Sequence, residues 1–435
     1  MTKKIPEFLL LLFQFLCLVL LAFAILEKGS NSFMPLWLFL GIAILLFFAR
    51  RILQKRNIGY IFILISFLSS LGILMIYRLD NEAGIKQGIF LILAVAVFFS
   101  VTFIFNRYPH PEFLFYPLML FSILLFVVTL ILGKRVWGAV NWIDLKFIKF
   151  QPAEIIKLIT VFLLAVFYGR PEAVLFHRLG DGQGGIKIFE RERALFIPIP
   201  KKFPVEFLNK AFEKNGGFFI SVFVYIEIGF LFLQKDLGMA VLFFITLFAV
   251  QFVYEKERKL LWIHILLAVL GSAAAFFLFN HVRVRIDAWL RPLAFADGKG
   301  YQITQSQIAI ACGGFFGSGV GLGYPKYIPA VKTDFIFSAI CEEMGIFMGI
   351  AVILVFMLLV YRGLKIALKK PGTFRGILAL GLSVLLGAQA FIITAGVTRM
   401  IPMTGITLPF VSYGGSSLLT SFMLVALLEV ADNAD

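Results

Sequence analysis

Charge is scarce in this sequence. Asp, Glu, Lys and Arg make up only 15% of its 435 residues, hydrophobic residues make up 60%, and the mean hydropathy is +0.95. A soluble fold must cover its surface with charge, so a soluble globular domain of this length is excluded. Cysteine is almost missing: Cys17, Cys312 and Cys341 are an odd count with no metal-ligand spacing, which argues against a disulfide frame and predicts unpaired helix residues. No Walker-type GxxxxGK[ST] is present, so nucleotide hydrolysis is not indicated. Acids are outnumbered, 25 against 40 basic residues. Those basic residues stand between apolar runs, where they orient helices and meet anionic membrane lipid. No polar stretch interleaves them with aromatics, so no nucleic-acid partner is expected.

What the chain has in abundance is long apolar runs. A bilayer needs about 20 apolar residues per helix. Runs of that kind fall near 8–26, 34–49, 58–77, 85–105, 113–132, 154–169, 218–233, 237–254, 260–280, 335–361, 376–397 and 405–430, which predicts an all-α polytopic membrane protein of twelve helices. The first run contains Ala22-Phe23-Ala24 but continues through Leu26, which favours an uncleaved helix over a signal peptide. With the N-terminus inside, the segments 50–57, 170–217, 254–259 and 362–375, with Lys3, Lys4 and Arg107, put 24 of the 40 basic residues on the cytoplasmic side. Segments 133–153 and 281–334 then face outward and are the longest polar links there, so function is expected at that face.

Five stretches carry polar chemistry. In Gln151-Pro152-Ala153-Glu154-Ile155-Ile156-Lys157, Pro and an early acid suit a helix start, and Glu154 and Lys157 share one face. They read either as a structural ion pair or as intramembrane functional groups. Gln234-Lys235-Asp236 is a break in which Asp236 could cap the next helix. Segment 281–334 holds Arg283, Arg285, Arg291, Lys299, Lys326 and Lys332 against only Asp287, Asp297 and Asp334. Basic side chains around Gly-rich backbone suit a phosphate or diphosphate, the alternative being an interfacial amphipathic helix over 301–312. Glu342 and Glu343, inside a spanning run, require basic or water-filled surroundings. Finally, Pro409-Phe410-Val411-Ser412-Tyr413-Gly414-Gly415-Ser416-Ser417 interrupts the last apolar run, so Ser412, Tyr413 and Ser416 either face a polar cavity or form a small-residue packing face.

In chain order, QPAEIIK, QKDLG, GYQITQS, TDFIFSAICEEMG and IPMTGITLPFVSYGGSSLL resemble the SEDS proteins: RodA, FtsW and their sporulation paralogue. The resemblance covers roughly 58–430 and implies a ten-helix SEDS core (58–435) behind two extra N-terminal transmembrane helices (1–57). It implies a peptidoglycan glycosyltransferase of the bacterial cytoplasmic membrane that polymerises lipid II for elongation or division. The implied partner is a class B penicillin-binding protein acting as transpeptidase. A lipid II flippase and a non-catalytic scaffold for that partner are the alternatives. The substrate-binding set is then Trp142, Glu154, Lys157, Asp236, Arg285, Lys299, Tyr301, Gln302, Lys332, Asp334, Glu342, Ser412, Tyr413 and Ser416. No cofactor is certain; magnesium or manganese could assist the diphosphate, but no dedicated cage is visible.

Three departures from the family pattern stand out. Trp137-Gly138-Ala139-Val140-Asn141-Trp142 lacks the family's Arg, Lys235 replaces a Pro, and Lys332 replaces a His. The family's catalytic acid belongs to an Asp-Pro-x-Gly-x-Gly-Tyr-like stretch; aligned on Gly298 and Gly300-Tyr301, its position is Phe295. Asp297 is the nearest acid, and either the loop is re-registered around it, with Gly298 and Gly300 supplying backbone freedom, or the base is lost. Asp297 is the catalytic residue this reading expects.

Overall fold

A computed structural model describes residues 5–27, 34–53, 59–107, 110–136, 139–144, 149–171, 177–178, 186–188, 195–197 and 205–432. Trp137, Gly138 and most of the 170–217 segment lie outside the described residues. Two apolar helices, α1 (Ile5–Glu27) and α2 (Met34–Leu53), come first. They pack against α3 (Gly59–Leu79) and α4 (Asn81–Arg107). Next come α5 (Phe115–Leu132), a small antiparallel sheet of β1 (Lys134–Val136), β2 (Ala139–Asp144) and β3 (Lys149–Phe150), and α6 (Pro152–Gly169). Then follow α7 (Val205–Leu233), α8 (Leu237–Tyr254), α9 (Arg258–Leu278), α10 (Asn280–Leu290), α11 (Tyr301–Gly313), α12 (Ile336–Lys369), α13 (Phe374–Val397) and α14 (Gly415–Asp432). Among the described residues ten helices, α3 to α9 and α12 to α14, are long and apolar enough to cross a membrane. α1 and α2 contain shorter apolar stretches, 8–17 and 39–49.

The spanning helices alternate in direction. One face therefore collects the links after α2, α4, α6, α8 and α12, and the other collects those after α3, α5, α7, α9 and α13. Basic residues crowd the first face, which makes it cytoplasmic. α3, α6, α13 and α14 form the buried centre, while α5 and α9 turn most of their surface to lipid. All three cysteines are free and lie on α1, α11 and α12, as their spacing suggests.

The last apolar run departs from expectation. Its helix starts at Gly415, and 405–414 is irregular backbone within the bundle. Pro409 removes an N–H, and Gly405 and Phe410 take positive φ of 78° and 65°, so no helix can run through. Irregular backbone in a membrane must be satisfied by protein. Side chains do so: Leu408 N donates to Ser412 Oγ, Gln389 Nε2 to the Thr407 carbonyl, and Gln87 Nε2 to the Ser412 carbonyl. Gly414 N in turn donates to Gln87 Oε1. The outer 281–334 segment is also more structured than its polarity suggests, with α10 unforeseen and α11 close to the 301–312 helix.

Candidate active site

Three helix starts bring acids to the outer face. Pro152 occupies the first turn of α6, so Glu154 follows at its positive end. Both Glu154 and Lys157 are 3% exposed, and Lys157 Nζ donates to Glu154 Oε2 at 2.6 Å and to Gln389 Oε1 on α13 at 2.8 Å. Thr420 Oγ1 on α14 donates to the same carboxylate oxygen at 2.9 Å. The pair therefore clamps the three central helices together. Asp236 caps α8 through the Met239 N–H, and its other oxygen accepts from Asn141 Nδ2 at 2.7 Å and Gln151 Nε2 at 2.8 Å. The sheet is held there by Val140 N, which donates to the Gln234 carbonyl. Burial pushes the Asp236 carboxyl above its ordinary value, against the pull of those donors.

Asp80 caps α4 through Ala83 N and pairs with Lys332 at 2.5 Å. That hydrogen bond from Lys332 holds the Asp80 carboxyl below the ordinary range. Lys332 Nζ also stands 6.0 Å above the Tyr413 ring, and Tyr413 N donates to the Lys332 carbonyl. Ser412 Oγ donates to the Thr333 carbonyl at 2.5 Å. Segment 332–334 is thus locked to the irregular 405–414 chain, with Asp334 beside Arg285 of α10. Arg285 Nη1 donates to the Thr404 carbonyl. A Cβ at Gly405 would lie 3.3 Å from Arg285 Nη2 and 3.6 Å from Asp334 Oδ2, so both side chains adjoin the Gly405 backbone, whose φ of 78° favours glycine. Asp334 is half-buried and Arg285 keeps some exposed surface. Burial pushes Asp334 up to about 6, opposed by the Thr333 hydroxyl and the Arg285 charge and reinforced by Asp236. Burial likewise draws the Arg285 guanidinium down.

Other expected site residues are employed elsewhere. Glu342 Oε1 accepts from Tyr324 N at 2.7 Å, and Glu343 Oε2 accepts from Gly321 N at 3.2 Å. Arg78 joins this cradle, 3.5 Å from Glu343 Oε1 and donating to the Gly321 carbonyl. The Glu342–Glu343 pair thus organises the Gly-rich 317–324 loop. Ser412 is a turn lock, Tyr413 is half-buried beside Lys332, and Ser416 Oγ is buried without a partner among the described residues. Trp142 is half-buried on β2, Gln302 donates to the Pro329 carbonyl, and Tyr301 opens α11.

Asp297 lies on an exposed turn, and among the described residues no hydrogen bond or ion pair holds its carboxylate. Lys299 Nζ sits 5.9 Å above the Phe295 ring. Neither Gly298 nor Gly300 has a positive φ; Gly300 is required because a Cβ would meet the Pro292 carbonyl oxygen at 2.4 Å. Sequence reasoning missed Asp80, Gln87, Asn141, Gln151, Gln389 and Thr420. A polar residue in an apolar run was the available signal for Gln87, Gln389 and Thr420. Among the described residues no group of three His, Cys, Asp or Glu could hold a metal ion.

The family model of cell cycle proteins, the FtsW, RodA and SpoVE group, matches residues 49–435. The chain belongs to that family. Its relatives include the peptidoglycan glycosyltransferase RodA of Mycobacterium tuberculosis, 34% identical over 84% of this chain and 75% of that one. The probable peptidoglycan glycosyltransferase FtsW of Geobacter sp. is 30% identical over 86% and 97%. Among solved structures, a peptidoglycan synthase complex described as coordinating polymerization and crosslinking aligns with TM-score 0.64 and 25% identity, over 85% of this chain and 95% of that one. Thermus thermophilus RodA shares the fold, with TM-score 0.57, 24% identity and coverage of 86% and 96%. Family and ten spans together make the chain a multi-pass protein of the bacterial cytoplasmic membrane.

Proposed function

We propose that this peptidoglycan glycosyltransferase polymerises lipid II at the outer face of the membrane, with a class B penicillin-binding protein as its crosslinking partner. The observation that supports the reading is the group of charges at one end of the bundle, where Asp334 and Arg285 both adjoin the Gly405 backbone and Lys332, two residues from Asp334, pairs with Asp80. Inverting transfer from a prenyl diphosphate needs one carboxylate to take the acceptor proton, and positive charge for the departing diphosphate. Arg285 and Lys332 supply that charge. The Glu154–Lys157 clamp ties α6 to α13 and α14, and Asp236 ties the start of α8 to β2 and to the start of α6. The apolar flanks of the bundle would receive the polyprenyl chains.

The test is purified full-length protein with its transpeptidase partner and labelled lipid II, glycan length being followed on a gel. Long glycan strands are expected. One observation favours a second reading: Phe295 at the family's acid position suits a scaffold that binds the transpeptidase without polymerising. That reading requires an intact complex that makes no glycan.

A further inference from the structure

We propose that Glu227 is a proton-binding site inside the membrane: a carboxylic acid that keeps its proton at neutral pH and uses it to tie α7 to α6. The glycosyltransferase reading gives this side chain no part. Glu227 lies six residues before the outer end of α7 at Leu233, about 9 Å along the helix at 1.5 Å per residue. Its side chain is 0% exposed. Val224 and Leu231, one turn to either side on α7, are fully buried apolar residues, and so are Ile156 and Leu163 around Thr160 on α6. An ionisable group in such a place is costly and is a functional candidate by default.

An ionised Glu227 would need a cation or several donors. Among the described residues no basic group lies within 4.0 Å of it. Lys157, one turn from Thr160 on α6, spends its Nζ on Glu154 Oε2 and Gln389 Oε1. The Glu227 carboxyl finds hydroxyls instead. Its Oε2 lies 2.7 Å from Thr160 Oγ1, and Ser122 of α5 adjoins the same carboxyl. Its Oε1 is sealed from solvent, with no hydrogen-bond partner among the described residues.

A hydroxyl has a single hydrogen to give. Thr160 Oγ1 lies 2.9 Å from the Ile156 carbonyl oxygen and Ser122 Oγ lies 3.0 Å from that of Met119, so each has an acceptor on its own helix. A carboxylate can only accept, so an ionised Glu227 would share the one Thr160 hydrogen with Ile156 and keep a full charge in apolar surroundings. Burial favours the neutral form of an acid in such a place. As a neutral acid, Glu227 donates through Oε2 to Thr160 Oγ1, and Thr160 donates to the Ile156 carbonyl. Each of those hydrogens then has its own acceptor, and α7 is joined to α6 without a buried charge.

The experiment records infrared spectra of the purified full-length protein at neutral pH, as wild type, Glu227→Gln and Thr160→Val. A neutral carboxylic acid has a carbonyl stretch well separated from those of carboxylates and amides. One such band should be present in the wild type and absent from Glu227→Gln, the difference between the two removing the contribution of every other acid. In Thr160→Val the band should remain but move, because the acid has lost its acceptor; this arm serves if the Gln variant folds poorly. Thermal melts supply a second readout. Glu227→Gln is neutral and can donate through its amide, so it should keep the wild-type midpoint, whereas Glu227→Leu leaves Thr160 without that donor and should lower it. An acid band that is the same in wild type and Glu227→Gln, or that does not move in Thr160→Val, overturns the proposal. A loss of midpoint in Glu227→Gln as large as in Glu227→Leu also overturns it. So does a wild-type midpoint that sodium raises and Glu227→Gln abolishes, which would make this a site for a monovalent cation.

Discussion

At the scale of single residues, the two charges buried most deeply near the site act on each other. Lys157→Met leaves Glu154 buried at 3% exposure with, among the described residues, the Thr420 hydroxyl as its side-chain donor. An uncompensated buried charge costs on the order of 3–5 kcal/mol. The variant should lower both the thermal midpoint and polymerisation; wild-type values for both would show the pair to be dispensable. The serines of the opening turn of α14 separate in a similar way. Among the described residues Ser416 Oγ has no partner, so Ser416→Ala should leave stability and activity within experimental scatter. Its neighbour Gly415 abuts the Phe90 ring, where a Cβ would come within 2.7 Å. Gly415→Leu should therefore separate α14 from α4, and its yield after detergent extraction should collapse.

At the scale of elements, the irregular 405–414 chain depends on side chains from elsewhere for its hydrogen bonds. Gln87 alone serves both the Ser412 carbonyl and Gly414 N. Gln87→Leu should cost about 1–3 kcal/mol for each group left unsatisfied. A thermal melt should register the loss while membrane insertion stays normal; an unchanged melt would mean that water replaces the amide. Backbone strain gathers in the same outer links, since Lys235, Ala330, Arg399 and Phe410 all have positive φ. At Lys235, in the turn that presents Asp236, the φ of 60° is one that proline cannot adopt.

At the scale of the whole molecule, alternation of the spanning helices and the charge bias give one orientation. A reporter active only outside the cytoplasm should be silent when fused after residue 200 and active when fused after Leu290. Activity after residue 200 would reverse the topology. How much of this was legible without coordinates follows from the range of each interaction. Hydropathy is a local property, so the spans could be read directly, and the polar stretch 409–417 announced a break in the last one. Its cause, a mixed role as turn lock and packing face, could not be read, because Ser412 meets Thr333, 79 positions away.

The chain's own order of residues determined the membrane class, the ten long apolar spans and the family, through motifs that need no partner to be recognised. Only the tertiary structure decided which charges meet. Lys332 and Asp80 are 252 positions apart, and Lys157 and Gln389 are 232 apart. Sequence spacing cannot rank such pairs, since any outer-face cation could reach several acids. Helix packing selects among them, because a charge in a poorly hydrated bundle must take whichever partner the neighbouring helix presents.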